Sequence, residues 1–286
     1  MLAQRIQAMK RIWFVTGSSR GIGRAIAEAV LARGDGLVAT ARDTARLADL
    51  VERHGGNIRP VALDVTDEAA VALAMQAALD AFGRIDVVVN NAGYGDLAPI
   101  ESTPLSSFRQ QIETNLFGTI IVTKAALPIL RRQGAGHFLQ FSSVGGRVGS
   151  VGRAPYSAAK WGVEGFSEVL AKEVAPLGLK VTIVEPGGFR TDFAGASTRL
   201  DEGDAAYDAT VGAAARFQRD YNGRQPGDPA RAAQVLLQVA AMEQPPLRLL
   251  LGSDAIRIVE AAEQAKHAAD LRWRSLSVST DFESAP

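Results

Sequence analysis

Short runs of consecutive apolar residues alternate along this chain with longer alanine-rich stretches. The runs are Arg11 to Thr16, Leu37 to Ala41, Ile58 to Leu63, Ile85 to Val89, His137 to Phe141, Lys180 to Val184 and Leu247 to Leu251. They lack the polar alternation of a strand with one wet face, so each predicts a strand covered on both sides, as in a parallel sheet. The stretches Gly23 to Ala32, Ala69 to Phe82, Ser107 to Arg132, Ala158 to Val174 and Pro229 to Met242 lie between them and are long enough for helices. This alternation predicts an α/β protein with a doubly wound, Rossmann-type fold, a seven-stranded parallel sheet with helices on both faces.

One stretch breaks the rhythm. Gly187 to Asp228 is far longer than the roughly 2 to 6 residues of an ordinary βα loop, so it is expected to carry short helices and to act as a substrate lid. Residues 252–272 read as a further helix, residues 273–286 as a polar, flexible tail, and residues 1–10 as an N-terminal extension. Residues 11–272 then make one domain, a size consistent with a chain of 286 residues.

Composition narrows the function by exclusion. Lys plus Arg and Asp plus Glu both number 31, so no net field draws the molecule onto nucleic acid or an anionic membrane, and any anion site must be local. The absence of cysteine removes disulfides, thiolate metal sites and cysteine nucleophiles together, and three scattered histidines leave little for a histidine-based metal site. The polar start of the chain has neither the apolar core of a signal peptide nor a run long enough to span a bilayer, so a cytoplasmic protein is expected.

The first apolar run ends in Thr16-Gly17-Ser18-Ser19-Arg20-Gly21-Ile22-Gly23 and leads straight into a helical pattern. Glycines allow a sharp turn and close approach to a diphosphate, and the helix N-terminus offers free N–H groups with the positive end of a dipole. Three glycines can also make nothing more than a tight turn. The position in the first strand-to-helix junction of an α/β pattern favours dinucleotide binding. Further on, Tyr156 and Lys160 stand four residues apart and so share a helix face. A nearby ammonium favours phenolate and would make tyrosine usable as an acid near neutrality.

With its G-x-x-x-G-x-G spacing, the turn resembles that of the short-chain dehydrogenase/reductase family, which reads T-G-x-x-x-G-x-G. The resemblance continues in order through Asp64-Val65, Asn90-Asn91-Ala92-Gly93, Asn115, Ser142-Ser143, Tyr156-Ser157-Ala158-Ala159-Lys160, and Pro186-Gly187 with Thr191. It covers about Arg11 to Thr191, and the stretch around Phe189 and Thr191 is similar to the steroid-dehydrogenase-like, ketoreductase branch.

The resemblance implies an NAD(P)-dependent carbonyl reductase or alcohol dehydrogenase. In it Tyr156 donates the proton, Ser143 orients the substrate oxygen, Lys160 clamps the ribose and tunes Tyr156, and Asn115 anchors a relay water. Ser142 competes with Ser143 but lacks the family's spacing to Tyr156. Gly17, Ser19, Arg20, Gly21, Ile22 and Gly23 would cradle the diphosphate. Asp64 and Val65 would meet the adenine, and Asn91, Ala92 and Gly93 the adenosine. Pro186, Gly187 and Phe189 would also bind the cofactor, and Thr191 would bond the nicotinamide carboxamide or the diphosphate, although it is also placed to cap the next helix. Asn90 is expected to tie strands together. The family's habit of pairing long helices implies a homodimer or homotetramer through Ser107 to Arg132 and Ala158 to Val174.

At the end of the second strand, where an NAD-selective chain usually has an acid, stands Ala41, followed by Arg42. With Arg20 it offers two guanidinium groups to a 2′-phosphate, which favours NADP(H); NAD(H) is the alternative, with Asp43 reaching the ribose. Aromatic residues in the lid suit a small, hydrophobic carbonyl substrate. The reading from another class is a catalytically silent, NADP-sensing interaction protein on the same fold.

Overall fold

The computed structural model describes residues 10–195 and 198–282. Most of the expected N-terminal extension and the end of the tail lie outside the described residues. The strands are β1 (Ile12–Val15), β2 (Gly36–Ala41), β3 (Ile58–Ala62), β4 (Val87–Asn90), β5 (Gly136–Phe141), β6 (Leu179–Pro186) and β7 (Arg248–Leu251). They form one seven-stranded sheet in the order β3-β2-β1-β4-β5-β6-β7, with every pair parallel.

The sheet is buried on both faces, and successive residues of one strand serve different cores. Trp13 and Val15 pack with Ile26, Val30, Leu236 and Leu237, whereas Phe14 between them packs with Val71, Met75, Val122 and Leu130. The first face is covered by α1 (Gly21–Ala32) and α8 (Pro229–Ala241), the second by α3 (Glu68–Phe82), α5 (Gly118–Gln133) and α6 (Ala154–Val174). Apolar runs without polar alternation are the sequence's record of this two-sided burial.

The chain leaves β3 at one edge and returns at β4 on the other side of β1, so the sheet reverses its winding between β1 and β4. In an open α/β sheet that switch point opens a crevice beyond the carboxyl ends of the strands.

Three local features differ from expectation. Helix α2 (Ala48–His54) was not foreseen, because seven residues are too few to register a helical period. The helix expected over Ser107 to Arg132 is two, α4 (Leu105–Ile112) and α5, joined by a π-turn at Glu113–Phe117. The last helix, α9 (Ser253–Val278), runs past the boundary expected at 272 into the serine-rich segment. Serine disfavours a helix by only a few tenths of a kcal/mol per residue, too little to stop one already propagating. The expected lid carries α7 (Ala213–Tyr221) and several shorter turns. No described helix is long and apolar enough to cross a membrane, and no metal-binding cluster of acidic or histidine residues occurs among the described residues.

Candidate active site

A cavity of about 1250 Å³ opens beyond the carboxyl ends of the strands, lined at one end by the glycine turn and at the other by the lid. The glycine turn is built from its neighbours. Thr16 Oγ1 accepts from the backbone N–H groups of Asn91 and Ala92, both at 3.0 Å, and Asn91 Nδ2 donates to the carbonyls of Thr16 (2.9 Å) and Gly17 (3.2 Å). The end of β1 and the segment after β4 are thereby locked together across the switch point.

Gly17 adopts φ +70°, and a Cβ on it would touch the backbone of Ala92 at 3.1 Å. Gly23 has ordinary φ but no room, since a Cβ there would lie 2.3 Å from the Gly17 carbonyl oxygen. Arg20 precedes α1 without a side-chain cap, so the first turn of that helix faces the cavity with its N–H groups uncapped. This cradle fits a diphosphate.

Every cofactor-binding residue expected from the sequence lines this cavity except Gly23, which sits under the turn. Arg20 and Arg42 line it, with Arg46 beside them. Asp43 lines it too, its carboxylate accepting from Ala45 N at 3.1 Å and lying 3.8 Å from Arg46. Asp64 Oδ1 accepts from Thr66 N and Oγ1, which with the charge of Arg42 holds its carboxyl below the usual range. Thr191 Oγ1 accepts from Phe193 N, the capping contact, and the same side chain stands over Gly21. Asn90 reaches across to β5, donating to Gln140 Oε1 at 2.8 Å, the strand-tying part expected of it.

Helix α6 supplies Tyr156 and Lys160 on one buried face. The Ser143 hydroxyl, at the exit of β5, accepts from Gly145 N at 3.0 Å and is near enough to Tyr156 to favour its ionised form. Ser142 is turned elsewhere: its Oγ lies where a Cβ on Gly146 would fall, next to Glu164, and it has no hydrogen-bond partner. Lys160 Nζ donates to Phe141 O at 2.7 Å, and burial brings its pKa down to about 8, with Glu164 one turn on opposing that.

The expected lowering of Tyr156 by Lys160 is not the net result. Burial pushes the phenol above its ordinary value, and the groups that pull it back are Ser143 and Arg153. The desolvation of a phenolate outweighs both.

Asn115 is fully buried at the π-turn. Its Nδ2 donates to the carbonyls of Tyr94 and Gln111, both at 2.8 Å, and its Oδ1 accepts from Tyr94 N, so its side chain clamps the segment after β4. A π-turn inserted into a helix is frequent at functional sites. Here it sets Asn115 against Gly93 and, through it, close to Lys160 Nζ.

Of the lid aromatics, Phe189, Phe193, Phe217 and Tyr221 line the cavity, with Phe193 5.6 Å from the Tyr156 ring and Phe217 stacked on Tyr221 at 5.2 Å. Tyr207 does not; it bonds Glu101 on the outside. Three contributors escaped the sequence reading. Thr16 stood inside the motif, and its pairing with the Asn-Ala-Gly segment could have been read from the strand order. Arg153 and Asp254 carried no signal. Arg153 lines the cavity beside Tyr156, and Asp254 Oδ2 accepts from Gly188 N at 2.7 Å, fastening the loop after β6 to the start of α9.

Residues 11–201 match the family model described as short chain dehydrogenase. The oxidoreductase BOA17 of Botryotinia fuckeliana is 48% identical over 273 residues, covering 95% of this chain and all of that protein. A short-chain dehydrogenase from Streptomyces avermitilis superposes with a TM-score of 0.89 at 40% identity, over 96% of this chain and all of that one. A short chain dehydrogenase from Burkholderia cenocepacia, solved in complex with NADP, superposes with a TM-score of 0.72 at 26% identity, over 92% of this chain and 97% of that one.

Proposed function

This chain belongs to the short-chain dehydrogenase family and is an oxidoreductase of that family, and on that premise we propose that it interconverts a ketone or aldehyde and an alcohol with NADP(H). The observation that carries the reading is the meeting of Ser143, Tyr156 and Lys160 in the cavity that also holds the glycine cradle. Bound there, the nicotinamide supplies a hydride to the carbonyl carbon or takes one from the alcohol. The chain's own groups do the rest. Ser143 and Tyr156 hydroxyls hold the substrate oxygen, and Tyr156 Oη gives it the proton that completes the alcohol. Lys160 stands under the same site as the buried cation that would meet the ribose. The apolar rings of Phe193, Phe217 and Tyr221 suit a hydrophobic substrate and exclude water around the reacting carbon.

Preference for NADP(H) rests on charge. Arg20 and Arg42 face the cavity where the adenosine ribose would lie, no carboxylate replaces Ala41, and Asp43 is occupied with Ala45 and Arg46. A solved relative at 26% identity holds NADP. Guanidinium groups match a 2′-phosphate in charge and shape.

The test is carbonyl-dependent NADPH oxidation across a substrate panel by wild type and Tyr156→Phe. The variant is expected to keep NADPH binding and to lose turnover by about 10²- to 10⁴-fold. Wild-type-like turnover without Tyr156 would overturn the mechanism, and NADPH binding by wild type with no turnover on any compound would favour a sensor. For the cofactor, Arg42→Ala should weaken NADPH by about tenfold to a hundredfold, the worth of one charge-assisted contact, and leave NADH unchanged. An unaltered ratio of kcat/KM for the two cofactors would refute the role of Arg42.

A further inference from the structure

Arg153 stands just ahead of Tyr156 at the start of α6, and no motif singles it out. Its Nη1 donates to Gly95 O at 3.1 Å and its Nη2 to Gln218 Oε1 on α7 at 2.9 Å. A Cβ built on Gly95 would lie 2.8 Å from Tyr156 Cδ2 and 3.3 Å from Arg153 Nη1, so the guanidinium and the phenol ring crowd the same point. Arg147, Arg216 and Arg248 are each paired with carboxylates. The hydrogen-bond acceptors of Arg153 are a backbone carbonyl and an amide, both neutral, so its charge is not cancelled by them.

Burial disfavours this cation, and the groups whose charge favours it are Tyr156 and Asp96. Reciprocally, Arg153 is the cation that pulls the Tyr156 phenol down. Lys160 Nζ is tied to Phe141 O and lies 5.7 Å from the centre of the Tyr156 ring.

We propose that Arg153 is a second cation of the active site, stabilising the Tyr156 phenolate alongside Lys160 and held in place for that task by Gln218 of the lid. The inference rests on Tyr156 being the proton-transfer group. A desolvated positive charge close to a phenol favours its ionised form, and the effect grows as water leaves the cavity. Because one of its two anchors is on α7, the guanidinium's position depends on how that helix is seated.

Lining the same cavity as Tyr156 are Tyr94 and Asp96 from the segment after β4, Ser143 from the exit of β5, Lys160 from its own helix, Asp192, Arg199, Gln218 and the Phe193 ring from the segment after β6, and Asp254 and Arg257 from α9; of these, Ser143 joins Arg153 in pulling the phenol down. Asp96 acts on the guanidinium itself, whose charge it favours.

The experiment is an ultraviolet difference titration of tyrosinate, taking each protein against its Tyr156→Phe counterpart so that only Tyr156 is read. It is run with wild type, Arg153→Lys, Arg153→Met and Gln218→Ala, and paired with the pH dependence of kcat for alcohol oxidation. Arg153→Met is expected to raise the Tyr156 midpoint by about one pH unit, in the range for loss of a nearby opposite charge. The oxidation limb should move with it to higher pH. Arg153→Lys should retain most of the wild-type midpoint, and Gln218→Ala should move it upward by less than Arg153→Met.

Coincident midpoints in wild type and Arg153→Met would overturn the proposal, as would a rise in KM with no movement of the midpoint, which would make Arg153 a substrate contact. If Arg153→Met does not fold, an unmoved midpoint in Gln218→Ala decides against it. A Tyr156→Phe enzyme that still turns over would instead refute the role of Tyr156, an outcome read from a different variant.

Discussion

The two ends of the cavity are held by different forces. At the glycine-turn end, buried Thr16 and the Asn91 amide join β1 to the segment after β4 through hydrogen bonds of 2.9 to 3.2 Å, above the large apolar core that α1 and α8 form with the sheet. At the lid end, the apolar anchor is a small cluster of Leu97, Val211 and Ala215, and outside it run exposed ion pairs of Arg216 with Asp208 and Glu202 and of Arg219 with Glu202. Breaking one member of a buried network leaves a partner desolvated and unmatched, whereas exposed ion pairs are largely replaced by water. The glycine-turn end is therefore the more firmly built of the two, and the proposed lid is held by fewer apolar contacts. A protein that presents one constant ligand and one variable ligand to the same cavity gains from that division.

The strongest challenge to this contrast is Gly23→Ala. A Cβ there would fall 2.3 Å from the Gly17 oxygen and 2.4 Å from Asn91 Nδ2, and neither can retreat without giving up the bonds that close the turn. Overpacking of this kind destabilises by about 1 to 3 kcal/mol or more. With the cradle displaced, NADPH affinity should fall by about a hundredfold, the equivalent of roughly 3 kcal/mol. Thermal melting and an NADPH fluorescence titration would check both numbers. A variant that melts and binds like wild type would mean that the turn has slack and that the two ends are not different in kind.

The same contrast marks how far the sequence could be read. Residues whose partners follow from strand order were legible: Trp13 and Phe14 bury opposite faces, the glycines sit in the first strand-to-helix turn, and Tyr156 with Lys160 follows from helical spacing. The π-turn at Asn115 was not, because its cause is a set of contacts to Tyr94 and Gln111 that a helical period does not encode. Arg153, Gln218 and Asp254 were hidden for a similar reason. Each acts on a residue far away in the chain, Arg153 on Gly95, Gln218 on Arg153 and Asp254 on Gly188, and nothing local distinguishes them from solvated polar surface residues. The spacing of Tyr156 and Lys160 reveals a neighbouring lysine but not how much water the fold removes, and burial raises the phenol.

Leu97→Ala tests the lid end at its strongest point. Leu97 is 2% exposed, its N–H donates to Arg199 O, its carbonyl accepts from Asp201 N, and Val211 packs with it. Truncation of a buried leucine removes about 2 to 5 kcal/mol, and a surface cluster that relaxes into the gap belongs near the lower figure. Since the cluster secures the lid and not the cradle, KM for the carbonyl substrate should rise while the NADPH dissociation constant stays within about twofold, a difference of only about 0.4 kcal/mol. Equal losses in both would show that lid and cradle respond as one body.

Arg216→Ala should do least. Its guanidinium joins Asp208 and Glu202 across the outer surface of the lid, and all three side chains are in contact with solvent. Water solvates the released carboxylates at once, and Glu202 keeps its pairing with Arg219. The melting temperature, the KM for substrate and the NADPH affinity are all expected to match wild type at physiological ionic strength. The informative condition is low salt, where screening is weakest and any contribution of these charges is largest. A fall in substrate affinity that appears at low salt and vanishes at high salt would assign these pairs a share in holding the lid. A fall that persists at high salt would contradict the contrast itself, because it would mean that the lid depends on Arg216 through packing and not through an exposed charge.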